Sequence, residues 1–208
     1  MNRKELKTAA KSQIKGNIGI LFVISIVVYL ISLVPNCIPV VGSLVSAIVV
    51  APALALGTTR IYIALVGGKK PEVGDVFCGF KDFWLAFKVT FLTGLYVFFW
   101  SLLFVIPGYV KMFSYSMAQY IIAENPNMGA NEAITLSRKM MDGHKMEAFV
   151  LGLSFILWFF LVGITFGIAA IYVGPYVNAT MVNFYNKIKP APEVVEETAE
   201  VAEDTVAE

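Results

Sequence analysis

The sequence predicts an all-α, polytopic helical membrane protein with about six transmembrane helices. First, 58% of its 208 residues are hydrophobic and only 15% are charged, whereas a soluble domain is about 45–50% apolar and about 25% charged. Second, long apolar stretches recur along the chain. Third, nearly all charged residues lie in alternate connections between those stretches. A soluble fold could not cover this much apolar surface, so lipid is expected to solvate it.

Most of the apolar stretches approach the roughly 20 residues that a membrane-crossing helix needs. They are residues 18–34, 43–66, 83–106, 108–123, 148–162 and 164–185. The fourth stretch is the weakest, because it is short and contains Lys111, Ser114, Ser116 and Gln119. Its assignment as a span depends on the orientation of the chain.

The orientation follows from the tendency of Lys and Arg to concentrate in cytoplasmic connections. Only Arg60, Lys88 and Lys111 among the basic residues fall inside a predicted span, and the turns within each pair of spans are uncharged and contain Pro or Gly. The charged connections are 1–17, 67–82, 124–147 and 186 onward. Both termini are therefore expected in the cytoplasm, which makes the number of spans even and retains the fourth.

An internal repeat organises these spans into three hairpins. Gly16, Gly79 and Gly143 lie 63 and 64 residues apart, and each comes just before the first helix of a hairpin. Because each repeat contains two crossings, all three have the same polarity, unlike the inverted repeats of many transporters. The repeats are predicted at about 1–68, 69–127 and 128–187.

The chain divides into a helical membrane domain, residues 1–189, and a tail, residues 190–208. All 16 Lys and Arg residues lie in the first part, whereas seven of the 15 acidic residues lie in 193–208. An acidic segment without aromatic residues cannot bury a core. We therefore predict a disordered, acidic cytoplasmic tail.

A cytoplasmic amphipathic helix is predicted before each hairpin. In segment 2–15, Leu6, Ala10 and Ile14 share one stripe and the lysines face the other way. Such a helix can lie in the headgroup layer, where anionic lipid attracts it. It can equally pack beneath the helical bundle, and the sequence leaves both alternatives open.

Polar residues concentrate in the second helix of each predicted hairpin. A polar cavity in the bundle centre would collect the six candidate residues Arg60, Lys111, Ser114, Gln119, Asn178 and Asn183. Ionisable groups at membrane depth are costly and often functional. The alternatives are simple interhelical hydrogen bonds, worth about 0.6 kcal/mol each, and, for Lys111, an extended side chain that reaches the outer headgroups from a region otherwise without basic residues.

The sequence contains no residue pattern typical of catalysis or metal binding. A metal site needs several His, Cys, Asp or Glu ligands, but the chain has one His and two distant Cys residues. It also has no phosphate-binding glycine loop followed by Lys, and no nucleophile close to a base in sequence. We expect no catalytic residue, no metal and no cofactor, and hence no enzyme activity.

Several short motifs resemble those of uncharacterised bacterial integral membrane proteins catalogued as domain of unknown function 975. They are the lysine-rich start through Lys15-Gly16-Asn17, the segment 70–77 with Gly79-Phe80-Lys81, Ile106-Pro107-Gly108, the segment 114–118, Asn125-Pro126, Ser137-Arg138, Gly143-His144-Lys145, and 175–176 through 184–185. The resemblance covers about residues 1–187 and implies a bacterial cytoplasmic membrane. It implies no reaction, cofactor or catalytic residue, and it leaves out the acidic tail.

The predicted function is non-enzymatic binding or organisation of lipid, or of a partner membrane protein, at the bilayer. The expected partners are membrane lipid, including anionic headgroups, or another membrane protein, and not nucleic acid. The alternative is a small-solute transporter or an accessory subunit of a transport system. Coupled transport usually relies on an intramembrane carboxylate, and no Asp or Glu lies in a predicted span.

Overall fold

A computed structural model of the chain describes residues 3–36, 41–103, 105–165 and 167–189. The described residues are almost entirely helical, and no strand occurs among them. The predicted disordered tail, 190–208, lies outside the described residues. So do residues 37–40, in the first predicted turn between spans.

The helices follow one another with short connections. The first group is α1 (Arg3–Ile14), α2 (Ile18–Asn36), α3 (Val41–Val45), a π-helical segment (Ser46–Val50) and α4 (Ala51–Val66). The second is a 3₁₀ helix (Val73–Phe77), α5 (Cys78–Lys81), α6 (Phe83–Leu103), α7 (Val105–Tyr115) and α8 (Ala118–Glu124). The third is α9 (Ala130–Met140), α10 (Lys145–Leu153), α11 (Ile156–Ile164) and α12 (Ala170–Ile188).

Two of the three repeat glycines sit in sharp bends, and the third does not. Gly16 and Gly143 have φ angles of +97° and +77°, a left-handed conformation that costs glycine little because it has no Cβ. These bends turn the chain from α1 into α2 and from α9 into α10. Gly79 instead lies inside α5 and is buried.

Four helical segments are long and apolar enough to cross a membrane: Ile18–Pro35, Gly42–Val66, Phe83–Ser101 and Lys145–Ile164. The predicted fourth stretch is divided into α7 and α8 by a turn at residues 116–117. The structure therefore supports the prediction of an all-helical membrane protein.

Helix α4 lies at the centre of the bundle. Of its candidate span, Gly42–Val66, 39% is buried inside the protein, against 11% of Phe83–Ser101. It contacts α1, α5, α6, α8 and α12, and its buried residues include Leu56 and Ile61. The outer helices leave large apolar side chains exposed, such as Phe91 and Phe160, which is the surface that lipid would cover.

Helix α1 closes the bundle by packing along α12. Its stripe of Leu6, Ala10 and Ile14 is buried against the bundle. The side-chain amides of Gln13 and Asn183 exchange two hydrogen bonds, of 3.2 and 2.6 Å.

The N-terminal half of α1 also reaches the turn between α10 and α11. Lys7 donates a hydrogen bond to the carbonyl of Ser154 at 3.1 Å, and its ammonium lies 4.4 Å from the ring centre of Phe155. Burial lowers the pKa of Lys7, and the nearby positive charges of Arg3 and Lys11 lower it further.

Helix α9 folds back across α6, α7 and α8. Ser137 of α9 is fully buried at the turn that separates α7 from α8. Its hydroxyl accepts a hydrogen bond from the N–H of Met117 at 3.2 Å and donates one to the carbonyl of Ser114 at 2.8 Å. One side chain thus satisfies two backbone groups that the helix break leaves over.

Replacing Ser137 by Ala is expected to lower the free energy of unfolding by roughly 1–3 kcal/mol, because two buried backbone groups lose their partner. Thermal unfolding of the detergent-purified protein would measure the loss. Ser116→Ala is the matched control, since the hydroxyl of Ser116 donates to the carbonyl of Phe113 in its own turn and to no other described residue. Equal melting temperatures for the two variants would contradict a bridging role for Ser137.

Candidate functional site

A basic cavity of about 360 Å³ lies between α7, α9 and the start of α10. We call it the basic cavity and define it by the residues that line it: Lys111, Ser114, Thr135, Arg138, Lys139, Asp142 and Lys145. Four of these carry a positive charge and one carries a negative charge.

The sequence of α9 explains how these side chains come to one place. Thr135 and Arg138 are three residues apart and lie on one face of α9, and Asp142 follows in the turn after the helix. The opposite face is held against the bundle by the buried residues Ala133, Leu136 and Met140. The helix is anchored at its start, where the Glu132 carboxylate accepts a hydrogen bond from the N–H of Gly129 at 3.1 Å.

Within the described part of the chain, the positive charges of the basic cavity are only partly balanced. Asp142 contacts Lys145 at 3.4 Å, and 83% of its side chain is exposed. Among the described residues, no carboxylate lies within ion-pair distance of Lys111, Arg138 or Lys139. The position of Arg138 and Lys139 in the last turn of α9 offsets part of this charge through the helix dipole. The excess positive charge favours an anion in the cavity.

A second cavity, of about 350 Å³, adjoins the first. We call it the aromatic cavity and define it by Tyr96, Trp100, Lys111, Tyr115, Asn131, Ile134, Thr135 and Arg138. Lys111, Thr135 and Arg138 line both cavities. The ammonium of Lys111 lies 4.5 Å from the ring centre of Trp100, within the range of a cation–π interaction.

Of the six candidate residues predicted from the sequence, the structure brings Lys111 and Ser114 together in the basic cavity. Ser114 is only 3% exposed, and its hydroxyl donates to the carbonyl of Val110 at 3.0 Å. The hydroxyl therefore helps to shape the wall of the cavity.

The other four candidate residues lie elsewhere. Arg60 is held by contacts to Ala123, Cys78 and Asp82 of neighbouring segments. Asn183 pairs with Gln13, and the exposed Asn178 donates to the carbonyl of Gly174 at 3.0 Å. The amide nitrogen of Gln119 is buried without a hydrogen-bond partner in the described part of the chain.

The surroundings of Lys111 differ from the sequence-based expectation. Its position in the predicted fourth span places it near the outer end, away from other basic residues. In the structure it shares a cavity with Arg138, Lys139 and Lys145. The reason is the return of α9 across α6 and α7, a contact between distant segments that hydropathy does not reveal.

Comparison with known proteins assigns the chain to a family. The family described as "Protein of unknown function (DUF975)" matches residues 1–114 and 107–191. The chain belongs to the DUF975 family. This confirms the resemblance found in the sequence. No curated protein and no solved structure matches this DUF975 chain.

Several residues of the two cavities in this DUF975 chain were not among the predicted site residues. In the sequence, Tyr96 and Trp100 resemble ordinary aromatic residues of an apolar span. Asn131 and Thr135 resemble polar surface residues of α9. The spacing of Thr135 and Arg138 was the available signal. It marks a polar helix face but does not identify the helices opposite.

Proposed function

We propose that this DUF975 protein is a non-enzymatic, multi-pass protein of the bacterial cytoplasmic membrane that binds anionic phospholipid through the basic cavity. The observation that carries the proposal is the set of four cations around one cavity, whose described lining contains one acidic residue, Asp142. Basic pockets between membrane helices on the cytoplasmic side are typical headgroup sites.

The proposed topology has six spans in three parallel hairpins, with both termini in the cytoplasm. The four long apolar segments account for four of these spans. The first is α2, the second runs from α3 through the π-helical segment to α4, the third is α6, and the fourth joins α10 and α11. In this arrangement α7 and α8 together return the second hairpin, and α12 returns the third. A reporter fused after Lys189 should then be active in the cytoplasm. Activity outside the cell would overturn this topology.

The position of the basic cavity supports lipid as the ligand. The fold-back of α9 brings Arg138 and Lys139, from a connection that the charge distribution assigns to the cytoplasmic side, into the bundle beside Lys111 of α7, where they line this cavity. Exposed apolar residues lie next to it, including Met146 and Phe149 at the start of α10. A phospholipid could therefore set its phosphate among the cations and its acyl chains against the apolar surface.

The proposal predicts that removing two of the cavity cations reduces bound anionic lipid. Each basic residue near an anionic surface contributes about 1 kcal/mol, so Arg138→Gln with Lys139→Gln should lower the retained anionic lipid by roughly tenfold or more. Native mass spectrometry of the protein purified in mild detergent would count the retained lipids.

The matched control removes the same charge elsewhere. Lys69 and Lys70 are exposed and belong to neither cavity, so Lys69→Gln with Lys70→Gln should retain lipid like the unmodified protein. Equal retention in both double variants would contradict the proposal. Solute flux across liposomes that disappears in Lys111→Ala would instead favour the transporter.

A further inference from the structure

We infer that the aromatic cavity binds the uncharged, hydroxylated head of a phosphate ester whose phosphate occupies the basic cavity. The inference rests on the proposed function and adds the chemical class of the ligand. It predicts a glycerol-type headgroup, as in phosphatidylglycerol. A bare phosphate or an ammonium-bearing head would fit less well.

The first argument is continuity between the two cavities. Lys111, Thr135 and Arg138 line both, so a phosphate among the cations stands directly beside the aromatic cavity. The two volumes are about 360 and 350 Å³, which leaves room for a head of several atoms next to the phosphate. A ligand that ends at the phosphate would leave the second volume unused.

The second argument is the supply of hydrogen-bonding groups. The hydroxyls of Tyr96 and Thr135 and the amide of Asn131 make no hydrogen bond to any other described residue. These groups both donate and accept, as vicinal hydroxyls of a ligand require. Trp100, which is 40% exposed, presents apolar ring surface to the carbon atoms of the same head.

The third argument is electrostatic. An ammonium head could use an aromatic wall through cation–π contact, but the Lys111 ammonium already lies 4.5 Å from the Trp100 ring centre. Arg138 lines the same cavity. A second cation placed there would be repelled by both. The cavity therefore favours a neutral polar head over ethanolamine or choline.

The test compares anionic lipids that differ in the head. Purified full-length protein would be offered equal amounts of phosphatidylglycerol and phosphatidic acid in mixed detergent micelles, and bound lipid would be read by native mass spectrometry. We expect phosphatidylglycerol to be preferred by about tenfold, the effect of one or two hydrogen bonds. Tyr96→Phe with Asn131→Leu should bring the two lipids to equal binding, while phosphatidic acid offered alone should bind as it does to the unmodified protein.

Tyr29→Phe is the control, because Tyr29 is exposed on α2 and lines neither cavity; it should keep the preference. An excess of deacylated glycerophosphoglycerol separates the two sources of the same chemistry. If the soluble ester displaces the bound lipid, the site also accepts a ligand without acyl chains. If the lipid stays bound, the acyl chains are required. Either result agrees with recognition of a hydroxylated head.

Equal binding of phosphatidylglycerol and phosphatidic acid by the unmodified protein would overturn the inference and leave lipid binding in place. Failure of the proposed function would give a different result, namely an unchanged amount of retained anionic lipid after Arg138→Gln with Lys139→Gln.

Tyr96→Phe keeps the ring that packs 5.9 Å from Tyr115, and Asn131 is exposed. The double variant should therefore fold.

Discussion

Gly79→Ala is expected to destabilise the bundle severely, by about 1–3 kcal/mol or more, as overpacking of a close contact does. A Cβ at position 79 would lie far inside van der Waals contact with the carbonyl oxygen of Ala53, and 2.7 Å from the backbone nitrogen of Gly57. Both obstacles are backbone atoms of α4 and cannot rotate away. Helix α5 would have to separate from α4, the central helix.

Gly57→Ala should produce the same result from the other side of this contact. Its Cβ would collide with the carbonyl oxygen of Val76, in the 3₁₀ helix that precedes α5. In a helix without such a neighbour, Ala is more stable than Gly by about 1 kcal/mol. We therefore expect Gly57→Ala to lower the free energy of unfolding, whereas helix propensity alone predicts that it raises it.

Gly94→Ala in α6 and Gly152→Ala in α10 provide the controls, because no described atom beyond the local backbone of the same helix lies within 4 Å of a Cβ built at either position. Melting temperatures in one detergent would compare the four variants. A loss of 1 kcal/mol corresponds to roughly 2–4 °C in a chain of this size. If Gly79→Ala melted at or above the temperature of Gly152→Ala, the close contact between α4 and α5 would be refuted.

The contrast between Gly79 and its two counterparts defines what the sequence could predict. The spacing of Gly16, Gly79 and Gly143 indicated three bends, and two of them have the positive φ that such a bend requires. The close contact of Gly79 with α4 could not be predicted. It depends on the separation of two helices, and hydropathy and periodicity contain no information about that distance.

The same limit applies to the candidate site. The sequence singled out Lys111 and Ser114 because polar residues are unusual in an apolar span. It could not pair them with Arg138, since the fold-back of α9 is held by Ser137, Ile134 and other contacts between distant segments. Local patterns therefore identified one wall of the basic cavity, and tertiary packing supplied the other.

Arg60→Met is expected to lower the free energy of unfolding by roughly 2–4 kcal/mol, because hydrogen bonds of a charged group contribute about 1.5–3 kcal/mol each and partial exposure reduces them. The guanidinium donates to the carbonyls of Ala123 at 3.3 Å and Cys78 at 3.4 Å. It also forms an ion pair with Asp82 at 2.6 Å. One side chain of α4 thus joins the end of α8 to the segment around α5.

Arg60→Lys should recover only part of this loss, since an ammonium lacks the planar fork that reaches three acceptors in different directions. Lys88→Met is the matched control. Lys88 lies in a predicted span of the same bundle, is exposed, and has its ammonium 5.4 Å from the ring centre of Trp84. Removing it deletes a charge without separating two helices.

A double-mutant cycle with Asp82→Asn separates the ion pair from the two carbonyl contacts. If the ion pair dominates, Arg60→Met should cost clearly less in the Asp82→Asn background, because no unpaired carboxylate remains. If the contacts to Ala123 and Cys78 dominate, the cost should be similar in both backgrounds. A structural anchor requires that thermal stability falls in Arg60→Met while lipid retention by the surviving folded protein is unchanged. The reverse result, with unchanged thermal stability and reduced lipid retention, would show that Arg60 acts in lipid binding and not as a contact between helices.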